Sequence, residues 1–501
     1  MTDKGQFVAL TERLVNGLLR EAIGYSVEYH IPYYKGIVGY MVQAPMLWIR
    51  HSRFPILFVA YDRRRPDVLA DVVKQLEMAK AIEYFALLIV VPTREGTGNE
   101  AEELRRIVAD SVYRHDFVVL DRQHLASIIA QNSSQRLIEI ILEQGIELSS
   151  LSPYIVKGPV SERMFFGREK EIKTIFQTIQ SGNYAVVGGR RMGKSSILLK
   201  VTQLLENDPR YQTVYLNCEE KSDYADLFQV LSDKFGQPLD SSNPLTFRKL
   251  ATTIKEEASP QQVVFLLDEV DELLAFDAQF KPAGQLFKTF RALSHEGVCR
   301  FVFSGSRTLY RHLHNPRSPF FNFCEDITLG PLEEKSVAEI VSKPMHQLGI
   351  DLPEEEALID RIIDLTSCHP NLVQWLCDRL VKAISIRRIT LDDLETVSAD
   401  SDFHRHFVET AWGDASPLEK LISLLMEGSP FEPDQLFEAL AYYGITDKTM
   451  IRESLEMLQV YALIDREGQR YRFVLSHFPR IVRAFEDIPS QIERLLTQVE
   501  A

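Results

Sequence analysis

The sequence predicts a multidomain α/β protein whose central domain is built on a parallel sheet. Two observations carry this. First, short β-branched apolar runs alternate with amphipathic helical stretches, as in Ala185–Val187, Thr213–Leu216, Val263–Leu267 and Arg300–Ser304, which is the pattern of strands covered on both faces. Second, a glycine loop joins the first of these runs to a helix-like stretch: Gly188, four residues, then Gly193-Lys194-Ser195, followed by apolar-periodic sequence to Leu204. With 501 residues the chain is long enough for about three domains.

Residues 1–130 read as one α/β unit. A helix is expected over Phe7–Ile23, then an aromatic-rich extended region over Tyr25–Arg50 and a strand at Ile56–Tyr61. A helix (Val68–Ile82), a strand (Phe85–Val91), a helix (Asn99–Tyr113), a strand (Phe117–Leu120) and a helix from Gln123 complete it. Residues 131–162 carry loop signals at Asn132-Ser133-Ser134 and Ser149–Pro153 around a helix at Ser134–Glu143, and are read as a linker.

The central domain spans 163–332. Phe166-Gly167-Arg168-Glu169 precedes an amphipathic helix that leads into the glycine loop. Glycines let successive backbone N–H groups turn inward around phosphate oxygens, and the start of the next helix adds its positive dipole end. Gly188, Gly189, Arg190, Arg191, Met192, Gly193, Lys194, Ser195 and Ser196 therefore form the candidate phosphate cradle. Lys194 is placed to reach the β- and γ-phosphates and Ser195 to ligate Mg²⁺. The buried strand Val263–Leu267 ends in Asp268-Glu269. Asp268 is the candidate second Mg²⁺ residue, and Glu269 the candidate that orients the attacking water, with Lys194 as its catalytic companion. Ser306 and Arg307 follow the next strand and face the γ-phosphate side of such a sheet.

Residues 333–400 read as four helices, Glu334–Leu348, Glu354–Thr366, Pro370–Ile384 and Thr390–Val397. Residues 401–488 give three helices (Pro417–Met426, Glu432–Tyr443, Lys448–Val460) and a hairpin around Glu467-Gly468, the pattern of a winged helix-turn-helix. Residues 489–501 are read as a tail.

Taken together, these motifs resemble the STAND-type NTPases, close to the AAA-like ATPases. The resemblance rests on Phe166-Gly167-Arg168-Glu169, Gly188–Ser196 with its Arg190-Arg191-Met192 insert, and Asp268-Glu269. It rests also on Ser304-Gly305-Ser306-Arg307, Leu329-Gly330-Pro331-Leu332 and Cys368-His369-Pro370. It implies ATP and Mg²⁺ as ligands and places Phe166, Gly167, Arg168, Arg307, His369 and Pro370 around the nucleotide. It also implies a helical lid over 333–400, a winged helix that moves with it, and assembly into a homo-oligomer on ATP binding. Members usually carry an arginine finger before the last strand; here Arg317 is the only basic residue in Pro316–Phe323.

The strand and helix order of residues 1–130 resembles restriction-endonuclease-like domains. That family needs an acidic residue and an E-x-K pair on the central strand to hold Mg²⁺. Here the strand reads Phe58-Val59-Ala60-Tyr61-Asp62, so a catalytically degenerate domain is expected. Arg63-Arg64-Arg65 is either a phosphate contact or a solvated loop.

Composition narrows the function classes. A net charge of −15 argues against wholesale wrapping of nucleic acid, and no apolar run reaches the length that spans a membrane. Five scattered cysteines fit free thiols in a reducing cytoplasm. The expected function is an ATP-binding and hydrolysing regulatory switch with a DNA or protein partner at either end of the chain. The alternatives are a DNA-binding ATPase of replication, repair or transposition, and an ATP-gated nuclease.

Overall fold

The computed structural model describes residues 4–500 except 46, 51, 62–66, 82–84, 92–98, 113–115, 132–133, 222, 385 and 427–429. Asp62 and Arg63–Arg65 lie outside the described residues. The chain forms two compact units. The first is made of 1–155, 339–355 and 377–394; the second of 156–338, 356–376 and 395–501. Among the described residues no helix is long and apolar enough to cross a membrane.

In the first unit, strands β1 (Ser26–Tyr34), β2 (Ile37–Gln43), β3 (Arg53–Val59), β4 (Ala86–Val90) and β5 (Phe117–Leu120) pair in chain order. The pairs β1–β2 and β2–β3 are antiparallel, while β3–β4 and β4–β5 are parallel. The extended region of the sequence resolves into a hairpin. Lys35 (φ 44°) and Gly36 (φ 80°) make its two-residue turn, with positive φ at both positions as the right-handed strand twist favours. The expected leading helix is broken at Gly17 into Lys4–Asn16 and Leu18–Ile23. The helix Ser134–Glu143 buries Leu137, Ile138, Ile140 and Ile141, and the division between the units falls after Ile155. Asp378 is buried in this unit. Its carboxylate takes Arg50 at 2.9 Å, the Ser152 hydroxyl at 2.8 Å and Lys382 at 2.6 Å. Among the described residues no group of three His, Cys, Asp or Glu side chains is placed to hold a metal ion.

The second unit contains a five-stranded sheet in the order β10-β6-β9-β8-β7. Its members are β6 (Tyr184–Val187), β7 (Tyr211–Asn217), β8 (Gln262–Asp268), β9 (Cys299–Gly305) and β10 (Glu325–Thr328), and every pairing is parallel. Parallel pairing needs crossovers, and the helices between strands supply them. One face packs on aromatic rings: Phe247, Phe265, Phe287, Phe290, Phe301, Phe303, Phe320 and Phe323 are all buried. Neighbouring ring centroids lie 4.7 Å (Phe247–Phe290) to 6.3 Å (Phe290–Phe303) apart. The other face carries the helices Glu169–Thr178 and Lys194–Glu206 through Ile175, Ile197, Leu198 and Val201. Parallel order brings the carboxyl ends of β6, β9 and β8 together, so Gly188, Ser304 and Asp268 share one edge of the sheet.

Helices Glu334–Gln347, Glu355–Thr366, Pro370–Ala383 and Leu391–Ala399 follow β10. Of this stretch, 339–355 and 377–394 fall in the first unit and the rest in the second. The C-terminal segment of the second unit holds helices Ser401–Ala411, Pro417–Leu425, Pro433–Tyr442 and Lys448–Val460. A hairpin follows, β11 (Ile464–Glu467) with β12 (Arg470–Phe473), and then the helix Phe478–Phe485. Residues 489–501, expected as a tail, instead lie mostly in a helix, Ile488–Glu500, that packs on Pro417–Leu425 and buries Leu495. An apolar stripe that includes Leu495 seats this helix on its neighbour.

Candidate nucleotide site

β6 delivers the chain into the glycine loop at Gly188, and the helix Lys194–Glu206 leaves it. Gly193 sits at φ 96°, a conformation that disfavours any side chain although the space beside it is open. Gly189 is required for a different reason. A Cβ there would lie 3.0 Å from the backbone of Tyr461, so the C-terminal segment seats directly on the loop. Lys194 is only 5% exposed. Its Nζ donates to the Gly188 and Gly189 carbonyls at 3.1 Å each and lies 3.6 Å from Glu269 Oε1. A buried ammonium turned onto its own loop's carbonyls at the start of a helix is a donor that fits phosphate oxygens.

Asp268 ends β8 and is 1% exposed. The Ser304 hydroxyl donates to its Oδ1, and the Tyr215 hydroxyl donates to Oδ2 at 3.0 Å. Two neutral hydroxyls orient the carboxylate, which suits a cation or its water shell. Glu269 follows at φ 54° and donates its backbone amide to Ser304 Oγ at 2.9 Å. Burial raises the Glu269 carboxyl above its ordinary pKa; Lys194 opposes the rise, and the nearby acids Asp268, Asp271 and Asp414 add to it. A carboxylate with a raised pKa beside an ammonium is suited to taking a proton from water.

Nothing in the sequence sets Asp271 apart from an ordinary first-turn acid. Its Oδ2 accepts from the Ser306 amide at 2.7 Å and its Oδ1 from Thr308 N at 2.7 Å, so it fixes the start of the helix Arg307–His314. Arg307 is thereby aimed at the C-terminal segment. Its guanidinium pairs with Glu419 and donates to the Asp414 carbonyl at 3.2 Å, and it lies 5.7 Å over the Tyr461 ring. Glu419 also closes a capping box with Ser416. That box has a sequence signature, Ser-x-x-Glu, but nothing in the sequence tells that its carboxylate meets Arg307.

The Phe166–Arg168 segment lies beside the loop. Phe166 is half-buried, Gly167 has φ 75°, and Arg168 donates to the Met192 carbonyl at 3.3 Å. Arg191 donates to Thr410 Oγ1 at 3.1 Å. His369 is 3% exposed and its Nδ1 has no hydrogen-bond partner. Burial, with His406, Arg168 and Arg191 nearby, pushes its pKa down to about 3, so the ring is neutral. Pro370 opens the next helix, whose Asn371 Oδ1 is 2.8 Å from His406 Nε2. Ser195 and Ser196 start the loop helix and are half-buried. Arg317 is exposed on the surface.

A family model described as an AAA domain matches residues 178–313. No curated protein matches the chain. Among solved structures, the chain is similar to a Walker-type ATPase of Pyrococcus abyssi at 15% identity, covering 66% of this chain and 99% of that one with a TM-score of 0.49. It is also similar to the ORC2 protein of Aeropyrum pernix, in ADPNP and ADP complexes, at 13% identity, covering 67% and 99% with a TM-score of 0.46. The AAA match falls on the loop, the Asp268-Glu269 strand and Arg307, and supports a P-loop NTPase domain over these residues.

Proposed function

We propose that the chain is a slow, regulatory ATPase of the STAND type, in which the nucleotide state of the glycine loop sets the position of the C-terminal segment. The observation that carries this reading is the contact between the two: Tyr461 seats on Gly189, Thr410 takes Arg191, and Glu419 takes Arg307. Residues that touch phosphate thereby touch the output surface as well, so a change at one must alter the other.

The chemistry follows from the side chains. Lys194 and the loop amides bind and orient the phosphates of ATP. Mg²⁺ supplies Lewis-acid charge neutralisation when bound, and Ser195 and Asp268 would hold it. Glu269 orients the attacking water and accepts its proton. Arg307 reports the terminal phosphate by exchanging Glu419 for it. His369 and Pro370 relay the state to the helices that follow. In this reading 163–332 is the ATPase core, 333–400 its lid and 401–488 a winged helix-turn-helix. Residues 1–130 form a restriction-endonuclease-like domain without the paired carboxylates, used for docking or sensing in a cytoplasmic protein.

The test is the solution mass of the wild type and Glu269→Gln, each with no nucleotide, ADP and ATP. A larger species with ATP, accumulating in the variant, is expected. A monomer under every condition contradicts the assembly switch and favours a partner- or DNA-dependent ATPase.

A further inference from the structure

The register of β7 with β8 sets Asn217 beside Asp268 and Tyr215 beside Leu266. Side chains alternate between the faces of a sheet, so Tyr215 and Asp268 project from the same face. That face carries the loop helix Lys194–Glu206: Val264 and Leu266 of β8 pack there with Ile197, Leu198 and Val201, and Tyr215 packs against the same group. One strand across and two residues along is roughly 8 Å between backbones, a gap that a phenol and a carboxylate close between them. The Tyr215 hydroxyl donates to Asp268 Oδ2 at 3.0 Å. Its ring is half-buried and borders a cavity of about 350 Å³ beside the loop helix, together with Ser196, Leu199 and Phe165.

The other carboxylate oxygen is served separately. Ser304 Oγ accepts the Glu269 amide at 2.9 Å, which leaves its own proton for Asp268 Oδ1. A carboxylate turns easily about its last torsion, whose wells are broad. One hydrogen bond leaves the plane of the group free to swing. A second, on the other oxygen, fixes it, and each oxygen keeps a further lone pair. Asp268 is 1% exposed, so water has little access to replace either donor.

We propose that Tyr215 is a positioning residue for the divalent cation that accompanies the nucleotide: its hydroxyl fixes the plane in which Asp268 presents its free lone pairs. The inference rests on the reading of the loop and Asp268 as a site for nucleotide and Mg²⁺. Outer partners of a metal-holding carboxylate act on metal affinity, and their loss costs roughly 10- to 100-fold there. Tyr215→Phe therefore weakens the response to Mg²⁺ and leaves the contacts of Lys194 and the loop with phosphate as they are.

The experiment is calorimetric titration of the full chain with a non-hydrolysable ATP analogue, over a series of free Mg²⁺ concentrations and in EDTA, using wild type, Tyr215→Phe and Lys194→Ala. The wild type is expected to bind the analogue more tightly as Mg²⁺ rises. In Tyr215→Phe the Mg²⁺ concentration that gives half of this gain is expected to rise about tenfold, with affinity in EDTA within about twofold of the wild type. Phe keeps the ring, so the packing beside the loop helix is retained. A half-gain concentration unchanged in Tyr215→Phe, with binding abolished by Lys194→Ala, overturns this inference alone. So does an equal loss of affinity with and without Mg²⁺, which is what a merely structural role gives. A wild type indifferent to Mg²⁺, or unchanged binding in Lys194→Ala, overturns the site reading and this inference with it.

Discussion

Arg307→Met is the substitution from which the structure predicts the most lopsided outcome. Glu419 is 1% exposed, and Arg307 is the cation paired with its carboxylate. Arg307 itself keeps 24% of its side chain exposed. Loss of the arginine leaves a buried carboxylate with the Ser416 amide at 2.8 Å as its remaining short contact. Breaking such a pair from the exposed side costs about 3 kcal/mol, because the stranded charge keeps its desolvation penalty. The reverse change, Glu419→Gln, preserves the capping box, since Gln serves at that position as well. It leaves Arg307 partly hydrated, so its cost is about 1 kcal/mol. Hydrogen exchange across Pro417–Leu425 reads the difference. Arg307→Met is expected to speed exchange there on the order of a hundredfold, and Glu419→Gln by about fivefold, at ~1.4 kcal/mol per factor of ten. Equal effects, or protection unchanged in Arg307→Met, would refute the reasoning that this pair holds the C-terminal segment on the core.

His369 predicts a pH dependence. Its folded pKa of about 3 lies below the ordinary 6.5 because the ring is buried. The stability that comes from keeping it neutral is present above pH 6.5 and is lost as pH falls from there toward 3, at about 1.4 kcal/mol per pH unit. His369→Gln is expected to lose less stability than the wild type between pH 6.5 and 5, and identical pH profiles would contradict this. Asp378→Ala strands Arg50 and Lys382, which are about one third exposed and can rehydrate. A loss of about 2 kcal/mol is expected, read as a lower denaturant midpoint for the first unit with the second unit unaffected. Gly189→Val forces a side chain into the Tyr461 backbone and is expected to free the C-terminal segment, seen as faster exchange over Lys448–Val460 with the core sheet still protected.

The parts of the site that were legible in the sequence are those whose chemistry is local. The loop from Gly188 to Ser196 needs its glycines and lysine at fixed spacing. The run Val263–Leu267 needs two acids at its tip, and a strand covered on both faces writes itself as an unbroken apolar run. What stayed hidden depends on distance along the chain. Tyr461 reaches the loop from more than two hundred residues away and Glu419 reaches Arg307 across a separation of 112 residues, and nothing about a Ser-x-x-Glu cap or a tyrosine after a helix announces that. Asp271 reads as an ordinary first-turn acid until the start of the helix Arg307–His314 is seen resting on it. The first unit shows the same limit. The β1–β2 turn at Lys35-Gly36 lacks the usual Asn-Gly signal, so a hairpin read as one extended stretch. The helix Ile488–Glu500 was masked by its polar face.

The central claim is that Glu269 performs the water chemistry of a nucleotide site built on Lys194. The most direct measurement is phosphate release from Mg-ATP by the wild type and by Glu269→Gln, with nucleotide affinity measured on the same samples. The account predicts that the variant binds ATP as the wild type does and releases phosphate at least about a hundredfold more slowly. Equal rates of release at equal affinity would contradict it.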